Sequence, residues 1–181
     1  MTPITVIGID PGSQRTGWGV VREVSGVLSL VECGVVRTAS GRGGQEETPG
    51  APESDFSRRL ARIYHELAAI LGRHRPDQAA MEQVFTAKNA ASALKLGQAR
   101  GAAVAACAAA GLDVADYAPT LVKKSLVGTG RAEKEQVAFM VRRLLNVRSE
   151  AATKWPLDAS DALAVAICHL GIRRFAALSG R

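Results

Sequence analysis

Three apolar segments with β-strand character follow one another from residue 4, separated only by short turns. Residues 4–10 are apolar and mostly β-branched, residues 16–24 end at a Ser25-Gly26 turn, and residues 27–38 follow directly. A Ser-Gly pair between two such runs is typical of a β-hairpin. Since connections this short join only strands that run in opposite directions, the chain is predicted to begin with an antiparallel meander.

The remainder of the chain alternates between helical and extended patterns. Residues 39–53 are rich in glycine and proline, so we expect a flexible loop there. Apolar residues then recur at helical spacing from Ser54 until Pro76. Further strands are predicted at 78–85 and 112–117, and further helices at 89–110, 133–145 and 158–178. We therefore expect an α/β fold: a mixed five-stranded sheet with helices on both faces, in one domain over residues 1–181.

The predicted location is the cytoplasm, without a membrane segment. The longest uncharged apolar run, residues 101–112, is shorter than the ~20 residues a membrane-spanning helix needs, so it is predicted to be a buried helix. The N-terminus lacks the basic region of a signal peptide. Three cysteines, Cys33, Cys107 and Cys168, lie far apart, which predicts neither disulfides nor a zinc site and favours a reducing compartment.

The chain is basic, with 23 Lys and Arg against 17 Asp and Glu and a formal net charge of +6. A basic domain of this size favours polyanionic partners, although a charged surface also serves solubility alone. Between residues 84 and 132 the cations are opposed only by Asp113 and Asp116, and such a one-sided stretch is suited to phosphate contacts. Its cations are Lys88, Lys95, Arg100, Lys123, Lys124 and Arg131.

Four acidic residues occur where solvated surface acids are unusual. Asp10 ends an apolar strand, and Glu82 lies within another. Asp158 and Asp161 open an apolar helix three residues apart, so their side chains share one face. A charge beside a buried apolar strand costs several kcal/mol of solvation unless it is paired or bound to a metal. Together the four acids favour a carboxylate cluster that binds cations.

Each acid taken alone has an ordinary structural explanation. Asp10 could accept hydrogen bonds from the amides of the following turn, and Glu82 could pair with a Lys or Arg. Asp158 could be a helix N-cap, with Asp161 stabilised by the helix dipole. As a group, carboxylates are hard ligands that suit Mg²⁺ or Mn²⁺, and a carboxylate cluster with a basic surface is typical of two-metal phosphodiester hydrolysis.

Four sequence blocks resemble the RuvC family of Holliday-junction resolvases. The first is IGIDPGS at 7–13 with TGWG at 16–19, and the fourth is DASDALA at 158–164. The most specific is the middle block, EQVF at 82–85, AKNA at 87–90 and SALKLGQARG at 92–101; the third is spread over 122–134. The likeness extends over nearly the whole chain, in order. The 39–53 loop is longer than is usual in the family, which leaves its part in DNA contact open.

The resemblance implies a ribonuclease-H-like fold and an endonuclease that makes paired, symmetric nicks with 5′-phosphate ends in four-way DNA junctions. In the family pattern Asp10, Glu82, Asp158 and Asp161 hold two Mg²⁺ ions, for which Mn²⁺ is a plausible substitute. By the same resemblance, Lys123 and Lys134 lie near the scissile phosphate, and Phe85 is the aromatic residue that meets unpaired bases. A branch-migration motor is an implied partner.

Symmetric cleavage of two strands needs two active sites, which a twofold homodimer supplies. The alanine-rich helix, with Ala102, Ala103, Ala105 and Ala106, permits close packing. From the sequence, that packing could lie in the core or across the dimer.

Two other functions remain to be weighed. Residues 8–13 also resemble the first phosphate loop of actin-like ATPases and sugar kinases, but those enzymes clamp a nucleotide between two such domains. The chain has neither the length for two such domains nor a Walker A pattern. A non-catalytic junction-binding protein is the second alternative, and the presence of all four carboxylates argues against it.

Overall fold

The computed structural model describes residues 2–38, 53–83, 89–147 and 155–180. The strands are β1 (Ile4–Asp10), β2 (Arg15–Val24), β3 (Val27–Arg37), β4 (Gln78–Glu82) and β5 (Val114–Tyr117). The helices are α1 (Glu53–His74), α2 (Ala90–Ala109), α3 (Pro119–Val127), α4 (Lys134–Leu144) and α5 (Leu157–Leu178). Most of the predicted 39–53 loop lies outside the described residues, and Glu53 already begins α1.

The five strands form one mixed sheet in the order β3-β2-β1-β4-β5. β1, β2 and β3 pair in antiparallel fashion, whereas β4 is parallel to both β1 and β5. The predicted meander and the predicted mixed sheet are both confirmed. β1 is central because it is the most uniformly apolar strand, and a central strand is covered on both faces.

Helices cover both faces of the sheet, as expected, and alternate residues of β1 separate two cores. Ile7 and Ile9 point into a core shared with α1 and α2. Ile4 and Val6 point to the opposite face, into a core shared with α3, α4 and α5. Because side chains alternate along a strand, Asp10 shares the face of Val6, on the side covered by α5.

The closest helix–sheet contact is that of α5 with β1 and β2, and glycines make it possible. A methyl group on Gly8 would overlap the carbonyl oxygen of Ala162, and one on Gly17 would overlap the carbonyl oxygen of Asp158. At Gly19 a methyl group would overlap the side chain of Leu163. The backbone of α5 therefore lies against the sheet with no side chain of β1 or β2 between them at these points.

One helix was missed from the sequence, and the signals for it were present. α3 begins with Pro119 in the first helical turn and ends at Gly128, which has a left-handed φ of 85°. Proline at a helix start and glycine just past its end are the usual boundaries. The expected 112–117 strand is shorter than predicted, because the amide of Leu112 bonds to the carbonyl of Cys107 at the end of α2. The expected 78–85 strand ends at Glu82.

The expectation that residues 101–112 form a fully buried helix is wrong. Within α2, Ala99, Ala103, Ala106 and Cys107 are buried against the sheet and α1, but Ala105 and most of the opposite face are exposed. Alanine side chains expose little apolar area, so a half-exposed alanine-rich helix costs little. In the described parts of the chain no helix is long and apolar enough to cross a membrane. The three cysteines are free thiols.

A buried polar chain ties the β5 edge of the sheet to α5. The Tyr117 hydroxyl lies 2.7 Å from Nδ1 of His169, whose Nε2 lies 2.9 Å from Oε1 of Gln78. Burial lowers the pKa of His169, so the ring is neutral, with one donor and one acceptor nitrogen. The ring satisfies both partners when Tyr117 donates to Nδ1 and Nε2–H donates to Gln78. His169 thus links α5 to both β4 and β5.

Replacing Gly17 by alanine tests the contact between α5 and the sheet. The added methyl group has only rigid backbone in front of it, so Gly17→Ala should destabilise the fold by about 1–3 kcal/mol. Gly171→Ala is the control on α5, because nothing lies within 4 Å of its Cβ position. That control should gain ~0.5–1 kcal/mol from better helix propensity. Denaturant unfolding measures both variants, and equal stabilities would contradict the close contact.

Candidate active site

Four carboxylates converge at one end of the sheet. Asp10 and Glu82 are the last residues of β1 and β4, and these parallel neighbours are in register up to the pair Ile9 and Met81. Both acids therefore lie side by side on the face covered by α5. The first two turns of α5 carry Asp158 and Asp161 onto that face, since the Asp158 backbone rests against Gly17 of β2. Strand register and helix packing together assemble the predicted acid cluster.

The four acids share one electrostatic environment. Burial, followed by the charges of Glu82, Asp161 and Asp158, raises the pKa of Asp10 to about 7. Burial and the charge of Asp161 also raise the pKa of Glu82. For Asp161, burial raises the pKa while Lys134 opposes that rise. Mutual repulsion at a partly buried place is what a bound divalent cation would relieve.

Cations border the acids on two sides. Nζ of Lys134, at the start of α4, lies 3.5 Å from Oδ2 of Asp161, and the acids raise the pKa of that amine so that it stays charged. Lys123 of α3 is close enough to lower the pKa of both Glu82 and Asp161. Two of the basic residues implied by the family resemblance thus lie at the acid cluster.

Arg15 is a neighbour of the site that the sequence reasoning missed. Its Nη1 atom lies 3.8 Å from Oδ2 of Asp158, at the beginning of β2. A signal for it was available, because Arg15 comes five residues after Asp10, directly after the short turn that connects β1 to β2.

The donor chemistry of the cluster suits a hard divalent cation. Carboxylate oxygens are the ligands that Mg²⁺ and Mn²⁺ prefer, and burial together with neighbouring acids raises the pKa of both Asp10 and Glu82, so a cation would favour their ionised forms. Among the described residues, no group of three or more His, Cys, Asp or Glu side chains already stands as a metal centre. The acids are nonetheless close enough to repel one another.

Of the other candidate DNA-binding residues that the structure describes, two contact side chains of the protein and two are exposed. Arg100 of α2 is engaged with Asp116, through contacts of 2.5 and 2.7 Å to the two carboxylate oxygens. Nζ of Lys95 lies 5.9 Å above the ring of Phe56. Lys124 and Arg131 are exposed, on α3 and in the turn before α4. The positions expected of Phe85 and Lys88 lie outside the described residues.

Sequence comparison relates this chain to a family of known proteins. The family model "Crossover junction endodeoxyribonuclease RuvC" matches residues 6–169. A relative of that name from Oleidesulfovibrio alaskensis is 62% identical over 177 residues, covering 97% of this chain and 96% of the relative. Another, from Geobacter sulfurreducens, is 48% identical over 164 residues, covering 91% and 90%.

Solved structures extend the likeness to the fold. Thermus thermophilus RuvC in complex with a Holliday junction substrate is 35% identical, with a TM-score of 0.79 and coverage of 95% of this chain and 96% of that one. The yeast mitochondrial Holliday junction resolvase Ydc2 is 12% identical with a TM-score of 0.63, covering 96% and 83%, so it shares the fold. These matches confirm the ribonuclease-H-like α/β fold.

The burial of Asp10, together with repulsion from the neighbouring acids, makes the stability of the metal-free protein depend on pH. Its pKa is about 7 in the folded chain against an ordinary value of 3.8, so between these values the folded state holds a proton that the unfolded state has lost. Stability should therefore fall as the pH rises from about 4 to about 7, by a few kcal/mol. Asp10→Asn, which cannot ionise, should remove this contribution. Denaturant unfolding across that range compares the two proteins, and parallel profiles would contradict the assignment.

Proposed function

The chain belongs to the RuvC family of crossover junction endodeoxyribonucleases, and we propose that it resolves four-way DNA junctions by hydrolysing one phosphodiester in each of two opposed strands. The observation that carries this proposal is the convergence of Asp10, Glu82, Asp158 and Asp161 beside the charged Lys134. Cleavage in opposed strands would give symmetric nicks, and departure of the 3′ oxygen would leave 5′-phosphate ends that can be ligated in recombination and repair. We place it in the cytoplasm, where bacterial DNA is found, as one domain over residues 1–181.

The four carboxylates are proposed to hold two Mg²⁺ ions, with Mn²⁺ as a possible substitute. Divalent cations at such a site activate a water molecule and stabilise the leaving 3′ oxygen. Asp10 would contribute ligand atoms from the end of β1, where the charges of all three other acids act on it. Glu82 would contribute ligand atoms from the end of β4, and Asp158 and Asp161 would contribute theirs from the start of α5.

Lys134 is proposed to stabilise the charge that grows on the non-bridging phosphate oxygens. Its amine is already at the cluster, and the neighbouring acids raise its pKa above the ordinary lysine value, so it is protonated at neutral pH. Lys123 adds a second positive charge from α3, which lowers the pKa of both Glu82 and Asp161. Both lysines are proposed to be at the scissile phosphate.

The proposed DNA surface extends outward from these lysines. Exposed Lys124 and Arg131 are near Lys123 in the chain and suit backbone phosphate contacts. Lys88 and Lys95 are proposed to extend the surface along the start of α2, and Phe85 to stack on an unpaired base. Arg100 has its own carboxylate partner in Asp116, so we assign it to the α2–β5 contact before any DNA contact.

A homodimer is proposed because two symmetric nicks need two active sites. Of the four α2 alanines considered for close packing, Ala103 and Ala106 are buried within the core and so cannot contact a second subunit. Ala102 is half-buried and Ala105 is exposed, so the outer face of α2 is available to a second subunit. Small side chains allow two helices to approach closely there. Docking to a branch-migration motor is proposed from the family alone.

Cleavage of a synthetic four-way junction tests the proposed function. With each strand labelled in turn, Mg²⁺ should give paired nicks in opposed strands that a ligase can seal, and EDTA should abolish them. Asp161→Asn should reduce the rate by orders of magnitude, because it removes one charged ligand, while junction binding persists.

Linear duplex of the same sequence is the control for structure selectivity. Equal cutting of the duplex would show a nuclease that is not a resolvase. Tight junction binding without cleavage in either Mg²⁺ or Mn²⁺ would favour the non-catalytic binding protein instead.

Neutralising Lys134 tests its part in the reaction. Lys134→Gln should lower kcat by about 10²–10³-fold, as loss of one preorganised charge donor does. Arg143→Gln removes the same charge from the exposed last turn of α4 and should leave kcat near that of the parent. Single-turnover cleavage separates the chemical step from product release. Similar losses in both variants would point to general electrostatic attraction of DNA.

A further inference from the structure

Arg15 is a cation at the acid cluster that the proposed reaction leaves unused. Its guanidinium approaches Asp158 at 3.8 Å, and 59% of its side chain is exposed. It stands at the border of the site next to β2, whereas Lys134 and Lys123 approach the acids from α4 and α3. A DNA strand that reaches the carboxylates would therefore meet positive charge on both sides.

Hydrogen bonds fix the turn between β1 and β2, which directly precedes Arg15. The hydroxyl of Thr16, which is fully buried, donates to the carbonyl of Gly12 at 3.0 Å. From the end of β3, the hydroxyl of Thr38 donates to the carbonyl of Ser13 at 2.8 Å, and its amide donates to the carbonyl of Gln14 at 3.1 Å. The backbone at Arg15 is thus fixed beside the cluster, while its long side chain extends into solvent.

The pairing of Arg15 with Asp158 is too long to be a hydrogen bond. At 3.8 Å, with the arginine mostly exposed, it is an ion pair of the weak, solvent-screened kind. Asp158 is one of the carboxylates proposed to hold a divalent cation. A cation bound there would neutralise Asp158 and repel the guanidinium, so Arg15 would turn to another anion.

We propose that Arg15 binds a backbone phosphate of the cleaved strand, next to the scissile one, and so positions that strand over the carboxylates. A guanidinium presents a planar fork of donors that matches two phosphate oxygens. The inference rests on the proposed junction cleavage, since it assigns Arg15 to the same substrate. Arg15 is a substrate-binding residue and takes no part in proton transfer.

Salt dependence of junction binding is the decisive measurement. Arg15→Gln and Arg15→Lys are made in the Asp161→Asn background, so that binding in Mg²⁺ is measured without cleavage. Loss of one phosphate contact should lower the slope of log K against log salt by ~0.7–0.9. Between 50 and 200 mM salt the affinity of both proteins falls, and the factor of that loss should be about three times smaller for Arg15→Gln than for its parent. Arg15→Lys keeps the charge and should retain most of the slope.

Arg22→Gln is the matched control, because Arg22 is an exposed arginine on the same strand, seven residues further from the site. Its slope should equal that of the parent, and thermal unfolding should show that all variants are folded. An unchanged slope in Arg15→Gln would overturn the inference. If, in addition, Arg15→Gln in the otherwise native chain needs a different Mg²⁺ concentration for cleavage, Arg15 only balances the charge of Asp158.

The cleavage assay on the otherwise native chain keeps the two proposals separate. If that chain fails to cut junctions in Mg²⁺ or Mn²⁺, the proposed function fails. If it cuts them and Arg15→Gln has the same kcat/KM and the same salt slope as the parent, the inference about Arg15 alone fails.

Discussion

The close contact between α5 and the sheet is the constraint on which the active site depends. Asp158 and Asp161 are far from Asp10 in sequence, and only the position of α5 brings them to the same place. Gly8, Gly17 and Gly19 allow that position, because any larger residue would overlap the backbone or a core side chain of α5. A shift of α5 by the width of a methyl group would move Asp158 and Asp161 away from Asp10, so the geometry of the acid cluster depends on glycines.

The same packing brings like charges together in a partly buried place, which disfavours their ionised forms until a cation binds. Partial burial and mutual repulsion raise the pKa of Asp10 to about 7 and also raise that of Glu82. Lys134 relieves part of this repulsion, and Arg15 contributes a weak pairing with Asp158. Sites with perturbed carboxylates are suited to cation binding, because the cation removes the unfavourable charge that folding has brought together.

Local signals predicted the elements well where the pattern was long, and less well where it was short. The meander over β1, β2 and β3 was predicted because apolar runs and a Ser-Gly turn define it directly. α3 was missed, although Pro119 and Gly128 mark its ends, because nine residues are too few for a helical period to stand out. The burial of α2 was overestimated, since an uncharged alanine run is also compatible with a helix that covers only one face.

The sequence by itself determined the chemistry: four acids at strand ends and a helix start, basic residues around them, and the order of strands and helices. Tertiary structure alone decided which of those groups meet. It joined Arg15 to Asp158, and it engaged Arg100 with Asp116. The physical reason is that periodicity and residue type report the face on which a side chain lies, whereas pairing between distant residues depends on strand register and helix approach.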